Sequence, residues 1–309
     1  MEFEPFCARD FDAYLENKWQ SHVFNRERLE VREKLEALGR QVSPSLVASD
    51  GSPLECEVST EHPAVWNQRR VENQYLFFSR NKEARKEIDG IISRNRSMAA
   101  LIEDPSPLRN HIFLALMIDR AQVELVLKLH TDAAVDRDNL QRKCQEFFQR
   151  EKLLHLIQHL PQGYIVGIVG QSEHPASALD DESLQALIQM LSTAGSWLSV
   201  RRSYSRDDPV VLEQSFGDVT RDGLTRLLPL LNFIAWSRDN DHLAMRDTLK
   251  QKEARQKSRG LVKNDRVRVV RGMFSGKSGV IQGIDAKGGL KVLLGAMVVK
   301  LTGDDVAKQ

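Results

Sequence analysis

The sequence predicts a mixed α+β chain: a large domain of helices and a mainly antiparallel sheet over residues 1–240, a basic helical linker over 241–260, and a small β-barrel over 261–309. Three observations lead there. At 309 residues and 41% hydrophobic content the chain can bury one large and one small core. Apolar runs at strand spacing alternate with helical stretches, without a strict strand-helix-strand repeat, which favours an antiparallel sheet with helices on one side. The last fifty or so residues are instead short period-two runs punctuated by glycine.

The elements follow in order. Glu27 to Gly39 places Leu29, Leu35 and Leu38 on one helical face, with Gly39 a fitting stop. Leu54 to Ser59 and Val71 to Ser79 read as strands, the second given bulk by Tyr75, Phe77 and Phe78. Lys82 to Arg94 returns to helical spacing. His111 to Asp119 and Gln122 to His130 are apolar runs split by Asp119-Arg120, the strongest hairpin signal in the chain. Asp136 to Leu156 reads as one helix capped by Asp136 or Asp138. Tyr164 to Val169 and Trp197 to Tyr204 are strands flanking a helix at Leu184 to Leu191, and Thr220 to Trp236 is a final apolar helix capped by Asp218 or Thr220.

In the C-terminal part, Val267 and Val269, then Val280 and Ile284, alternate with polar or small residues as half-buried strands do. Gly272, Gly276 and Gly279 between them suit a compact loop, because glycine accepts positive φ or a close backbone approach. Gly288-Gly289 suits a tight hairpin into a strand at Leu290 to Leu294, and Met297 to Leu301 is a fourth strand. Asp304-Asp305-Val306 adds a polar turn and one buried valine. Strands this short bury a core by curling into a barrel.

Asp265, Val267, Val269, Gly272, Phe274, Gly279, Val280 and Ile284, extended by Leu290, Lys291, Val292 and Val306, resemble the KOW motif and its SH3-like barrel, found in some ribosomal proteins and at the C-terminus of the elongation factor NusG. The resemblance implies a module that associates with transcription or translation machinery, with Phe274 as the loop aromatic that contacts partners. The hairpin after Leu294 is shorter than in NusG, with Gly295-Ala296-Met297 where NusG carries Phe-Gly-Arg, and no amino-terminal NusG domain is recognisable. Arg28 to Gly39, Phe77 to Lys86 and His111 to Asp119 resemble segments of a bacterial family of unknown function, which implies no activity.

Charge is segregated. The chain carries 44 Lys and Arg against 43 Asp and Glu, yet Arg246 to Lys277 holds eleven basic and three acidic residues, while the residues before it hold 29 and 37. Such a basic segment approaches a polyanion, and RNA held by phosphate contacts is the expected partner. The candidate binding residues are Arg255, Lys257, Arg259, Lys263, Arg266, Arg268, Arg271, Phe274 and Lys277. With Phe274 the sole aromatic among them, base-specific reading of a single strand is not expected.

Catalytic motifs are absent: there is no Walker loop, nucleophile elbow or His-Glu-x-x-His. His130, Asp132, Asp136 and Asp138 follow a strand and could hold a divalent cation beside a base, but capping by Asp136 and Asp138 and strand termination at His130 are the favoured account of them. His62 and Trp66 with Arg69 and Arg70 form a second polar patch, and His155 and His159 share a helical face without a third ligand. Cys7, Cys56 and Cys144 are isolated, so buried or partly buried free thiols are expected rather than a disulfide framework or zinc site. No apolar run approaches a membrane helix and the acidic start is unlike a signal peptide, so a cytoplasmic protein is expected, with no cofactor and no membrane partner. Two functions fit: a non-enzymatic regulator or adaptor attached through the barrel and linker to RNA, RNA polymerase or ribosomal proteins, or a metal-dependent enzyme acting on nucleic acid or nucleotides, centred on His130, Asp132 and Asp136.

Overall fold

A computed structural model describes residues 3–64, 67–92, 107–243, 261–285 and 289–308. The chain divides into two compact units, Met1–Asn240 and Asp241–Gln309. Helices and antiparallel sheets make the fold mixed α+β.

In the first unit seven strands form one antiparallel sheet in the order β1-β2-β3-β4-β7-β5-β6. They are β1 (Glu55–Val58), β2 (Asn73–Ser79), β3 (Phe113–Asp119), β4 (Gln122–His130), β5 (Ile165–Ile168), β6 (Ser172–Pro175) and β7 (Trp197–Ser205). The described helices are α1 (Ala8–Asp12), α2 (Asn25–Val42), α3 (Lys82–Ile92), α4 (Ala134–Lys143), α5 (Phe147–Gln158), α6 (Asp181–Met190) and α7 (Phe216–Ile234). One sheet face carries Leu76, Phe78, Leu114, Leu116, Leu125 and Leu127 into the main core, where α2 and α7 cover it. The β3-β4 hairpin pairs Phe113 with Lys128 through Ile118 with Val123, and β7 joins the other edge of β4 with Trp197 opposite His130.

Several expectations are corrected. In α2 the buried residues are Val31, Leu35, Leu38 and Val42, at helical spacing, while Leu29 is 43% exposed. Gly39 does not stop the helix: a Cβ there would lie 2.7 Å from Cys56 Sγ, so glycine lets α2 approach the sheet. The single helix expected over Asp136 to Leu156 is two, because Glu146 is extended before α5. Asp136 and Asp138 cap nothing: α4 begins at Ala134 with Ala133 ahead of it. Asp218 and Thr220 lie inside α7, behind Ser215. The edge strand β6 leaves no signal in the sequence, since Ser172-Glu173-His174-Pro175 carries no apolar alternation. Cys144 is buried, but Cys7 and Cys56 are exposed free cysteines.

The second unit is a five-stranded antiparallel sheet in the order β11-β10-β9-β8-β12, formed by β8 (Arg266–Val269), β9 (Ser278–Ile284), β10 (Leu290–Leu294), β11 (Met297–Leu301) and β12 (Val306–Lys308). It is barrel-like without closing, because β11 and β12 remain unpaired edges. Leu261, Val267, Val269, Ile281, Leu290, Val292, Leu294 and Val306 form its core. In β9 the inward residue is Ile281, with Val280 half-buried and Ile284 40% exposed, because an irregularity opposite Lys291 and Val292 shifts the register. Gly279 lies within β9 rather than in a turn, and a Cβ there would fall 2.4 Å from the Leu293 carbonyl oxygen. Gly288 lies outside the described residues, as does 244–260 of the expected linker. Among the described residues no helix is long and apolar enough to cross a membrane.

Candidate nucleic-acid interface

Alternation in β8 sets the geometry of the basic residues. Val267 and Val269 point into the small core, so Arg266 and Arg268 point outward and are exposed. Register carries this outward face across the sheet. Arg266 sits opposite Val280, Val280 opposite Leu293, and Leu293 opposite Val298. Two residue pairs along, on the same face, exposed Lys291 faces exposed Lys300. The result is an apolar row, Val280, Leu293 and Val298, flanked by cations on both sides.

Ion pairing separates these cations into two groups. Lys300 Nζ lies 2.7 Å from Asp285 Oδ2 and Lys308 Nζ lies 2.8 Å from Asp265 Oδ2. The Lys308 ammonium and the Val262 amide hold the Asp265 carboxyl below the ordinary carboxylate range. Among the described residues Lys263, Arg266, Arg268, Arg271, Lys277 and Lys291 have no carboxylate partner within ion-pair distance. Their charge is therefore available to an external anion. Lys291 belongs to this face although charge clustering did not select it, and the outward phase of β10 is the signal that would have found it. Arg255, Lys257 and Arg259 lie outside the described residues.

The loop between β8 and β9 is closed by its own backbone: the Gly276 amide donates to the Val269 carbonyl at 2.7 Å and the Lys277 amide to Phe274 at 3.1 Å. Gly272 and Gly276, at φ 83° and 90°, supply the left-handed turns this closure requires. Phe274 is half-buried against the small core, with Lys277 Nζ 5.8 Å from its ring centroid. Met273, 93% exposed, is the apolar side chain the loop presents.

Of the histidine and aspartates after β4, only His130 and Asp132 meet, with His130 Nδ1 3.2 Å from Asp132 Oδ2, while Asp136 and Asp138 turn to other partners. Asp136 is fully buried and accepts from the Ile112 amide at 2.9 Å, the Trp236 amide at 2.8 Å and Arg80 Nη2 at 2.7 Å. Its oxygens are thereby committed to the fold. Asp138 pairs with adjacent Arg137, and buried His130 packs on Trp197 while its Nδ1 accepts from the Asp132 amide at 3.0 Å. His155 and His159 stack at the exposed end of α5, with ring centroids 3.7 Å apart. No group of three His, Cys, Asp or Glu suited to a metal occurs among the described residues. Of the patch expected near His62, Trp66 lies outside the described residues, and Arg70 stacks on Trp19 beside Glu72.

No protein-family model matches this chain, and no curated protein matches it significantly.

Proposed function

We propose that this protein is an adaptor that associates with transcription or translation machinery by holding RNA phosphates on its C-terminal unit. The observation that carries the reading is the set of exposed cations without carboxylate partners, Arg266, Arg268 and Lys291, fixed by strand register around the row Val280, Leu293 and Val298. A rigid sheet holds these charges at little entropic cost, and Arg271 and Lys277 extend the field along the loop. The same pattern supports backbone contact rather than sequence reading, since no side chain of this face offers a ring for base stacking.

The test is RNA binding by the full chain, followed by fluorescence anisotropy with a labelled single strand from 50 to 300 mM salt. The variant Arg266→Gln/Arg268→Gln/Lys291→Gln should lower the logarithmic salt slope by about 2, since each phosphate contact on a single strand contributes about 0.7. A variant that retains its circular dichroism and keeps the full slope and affinity refutes the reading. Recovery of polymerase or ribosomal components from a lysate by the full chain, lost with the triple variant and with ribonuclease, would identify the assembly.

A further inference from the structure

The sheet face of the first unit turned away from α2 and α7 carries a different chemistry. Alternation places Tyr75 and Phe77 of β2, Phe113 and Ala115 of β3, Val126 and Lys128 of β4, and Trp197 of β7 on it. Tyr75 and Phe77 stack with centroids 5.0 Å apart and planes 6° from parallel. Phe113 meets Phe77 edge-on at 5.3 Å and Trp197 at 6.1 Å, which continues the aromatic strip across three strands of the hairpin and its neighbours. The small residues at its centre, Ala115 and Val126, are fully buried, while Tyr75, Phe77 and Trp197 keep part of their surface exposed.

Lys128 stands in this strip. Its ammonium donates to the Tyr75 hydroxyl at 3.0 Å and lies 5.2 Å from the Tyr75 ring centroid and 5.8 Å from that of Trp197. An ammonium has three donors, and this one finds no carboxylate among the described residues. The acids of this face have other partners: Glu124 and Glu173 both bind Arg201, Glu55 and Glu57 both bind Arg85, and Asp132 Oδ2 lies 3.2 Å from Nδ1 of His130, which packs on Trp197. Among the described residues Lys128 is thus a cation of the strip without a carboxylate partner, framed by rings that favour a flat partner.

We infer that this face is a binding site for a planar aromatic ring bearing one anionic group, of the class of a nucleoside monophosphate. The ring lies on the exposed surfaces of Tyr75, Phe77 and Trp197, and the anion meets the two remaining ammonium donors of Lys128. A long polyanion is disfavoured here. The carboxylates around Arg85 and Arg201 outnumber their guanidinium partners, and the residues before Arg246 hold 29 basic against 37 acidic side chains. This site is independent of the phosphate-binding face proposed for the C-terminal unit.

Calorimetric titration of the full chain with adenosine monophosphate, adenosine, inorganic phosphate and a single-stranded oligonucleotide tests the assignment. Saturable binding of the monophosphate is expected, with adenosine at least 10-fold weaker and phosphate alone without measurable binding. Lys128→Met and Tyr75→Leu should each weaken the monophosphate about 10-fold or more, the range reported by removal of a stacking ring, while Arg266→Gln/Arg268→Gln/Lys291→Gln leaves it unchanged. Both single variants should keep the wild-type circular dichroism spectrum. Quenching of tryptophan fluorescence by the ligand should be lost in Trp197→Phe. Failure of the monophosphate to saturate at millimolar concentration overturns the inference, as does equal affinity in a folded Lys128→Met. Oligonucleotide binding that is tighter than the monophosphate and abolished by Lys128→Met overturns the small-ligand assignment in favour of a nucleic-acid strand.

Discussion

Replacing Asp136 by Ala should be among the most damaging single changes in the first unit. The carboxylate joins three distant parts of the chain: the amide entering β3 at Ile112, the amide at Trp236 just after α7, and the guanidinium of Arg80 just after β2. Each lost acceptor leaves a buried donor unsatisfied, at about 1–3 kcal/mol apiece. Arg80, whose side chain is only 10% exposed, would in addition lose its counter-charge, and breaking a buried ion pair from one side costs about 3–5 kcal/mol. These costs overlap because the three donors share two oxygens and water can enter the space, so a loss of about 4 kcal/mol is expected rather than the full sum. For a domain of this size that corresponds to a fall in Tm of roughly 10 °C.

Urea unfolding followed by circular dichroism measures the loss directly. Asp138→Ala is the control, since that carboxylate is half-exposed and pairs only with its sequence neighbour Arg137, and it should cost under about 0.5 kcal/mol. The double change Asp136→Leu/Arg80→Met should be less destabilising than Asp136→Ala, because it removes the stranded charge together with its partner. A loss below about 1 kcal/mol for Asp136→Ala, or a rise in wild-type Tm on adding magnesium or manganese that this variant abolishes, would refute the structural role and return Asp136 to ligand chemistry.

Other outcomes follow from the same contacts. Lys143 is buried, donates to the Phe233 carbonyl at 3.1 Å and Asn240 Oδ1 at 2.7 Å, and burial, reinforced by Lys152, pulls its ammonium down to about 8. Between pH 8 and the ordinary lysine value the unfolded chain holds a proton that the folded chain has released, so stability should rise with pH across that window by about 1–3 kcal/mol. Lys143→Met should flatten this rise in urea midpoints measured from pH 7.5 to 10. Arg28, fully buried, donates to the carbonyls of Ala13, Lys18 and Ser21 and to Asn25 Oδ1. Arg28→Met should expose the segment between Ala13 and Asn25 to limited proteolysis, and Arg28→Lys should not rescue it, because an ammonium lacks the guanidinium's fork of donors. Gly279→Ala should destabilise the second unit by about 2 kcal/mol or more through the clash with the Leu293 carbonyl, read as loss of amide protection in β9 and β10 with the first unit unaffected.

What was legible in the sequence was local. The β3-β4 hairpin announces itself because both strands bury nearly every side chain, leaving Asp119 to Gln122 as the one polar break. The strands of the second unit are legible from period-two alternation and glycine. The ends of elements were less so, because tertiary bonds fix them: Lys143 turns inward at the end of α4 to Phe233 and Asn240, and Arg150 at the start of α5 holds the Cys144 carbonyl and Asp181. Helical spacing continues through Asp136 to Leu156 without recording either contact. Asp136 illustrates the same limit at a candidate site. Its partners lie 24, 56 and 100 residues away, so the sequence favours a helix cap at this aspartate over a ligand and records none of the donors that the fold brings to it.

Charge gives the sharper case. A count along the chain distinguishes basic from acidic stretches but not a neutralised cation from an available one. Arg80, Arg85, Arg150, Arg201 and Arg206 of the first unit are each spent on a carboxylate, and most of these pairs join separate elements. Arg266, Arg268 and Lys291 of the second unit sit on one sheet face with none. The difference arises from side-chain pairing, which commits Asp265 to Lys308 and Asp285 to Lys300. Lys128 was equally invisible as a cation of interest, being one charge in an apolar strand, until β4 placed it among the rings of Tyr75 and Trp197 with the neighbouring acids already engaged. An anion-binding surface is therefore defined less by how many cations a segment holds than by which of them the fold leaves uncompensated.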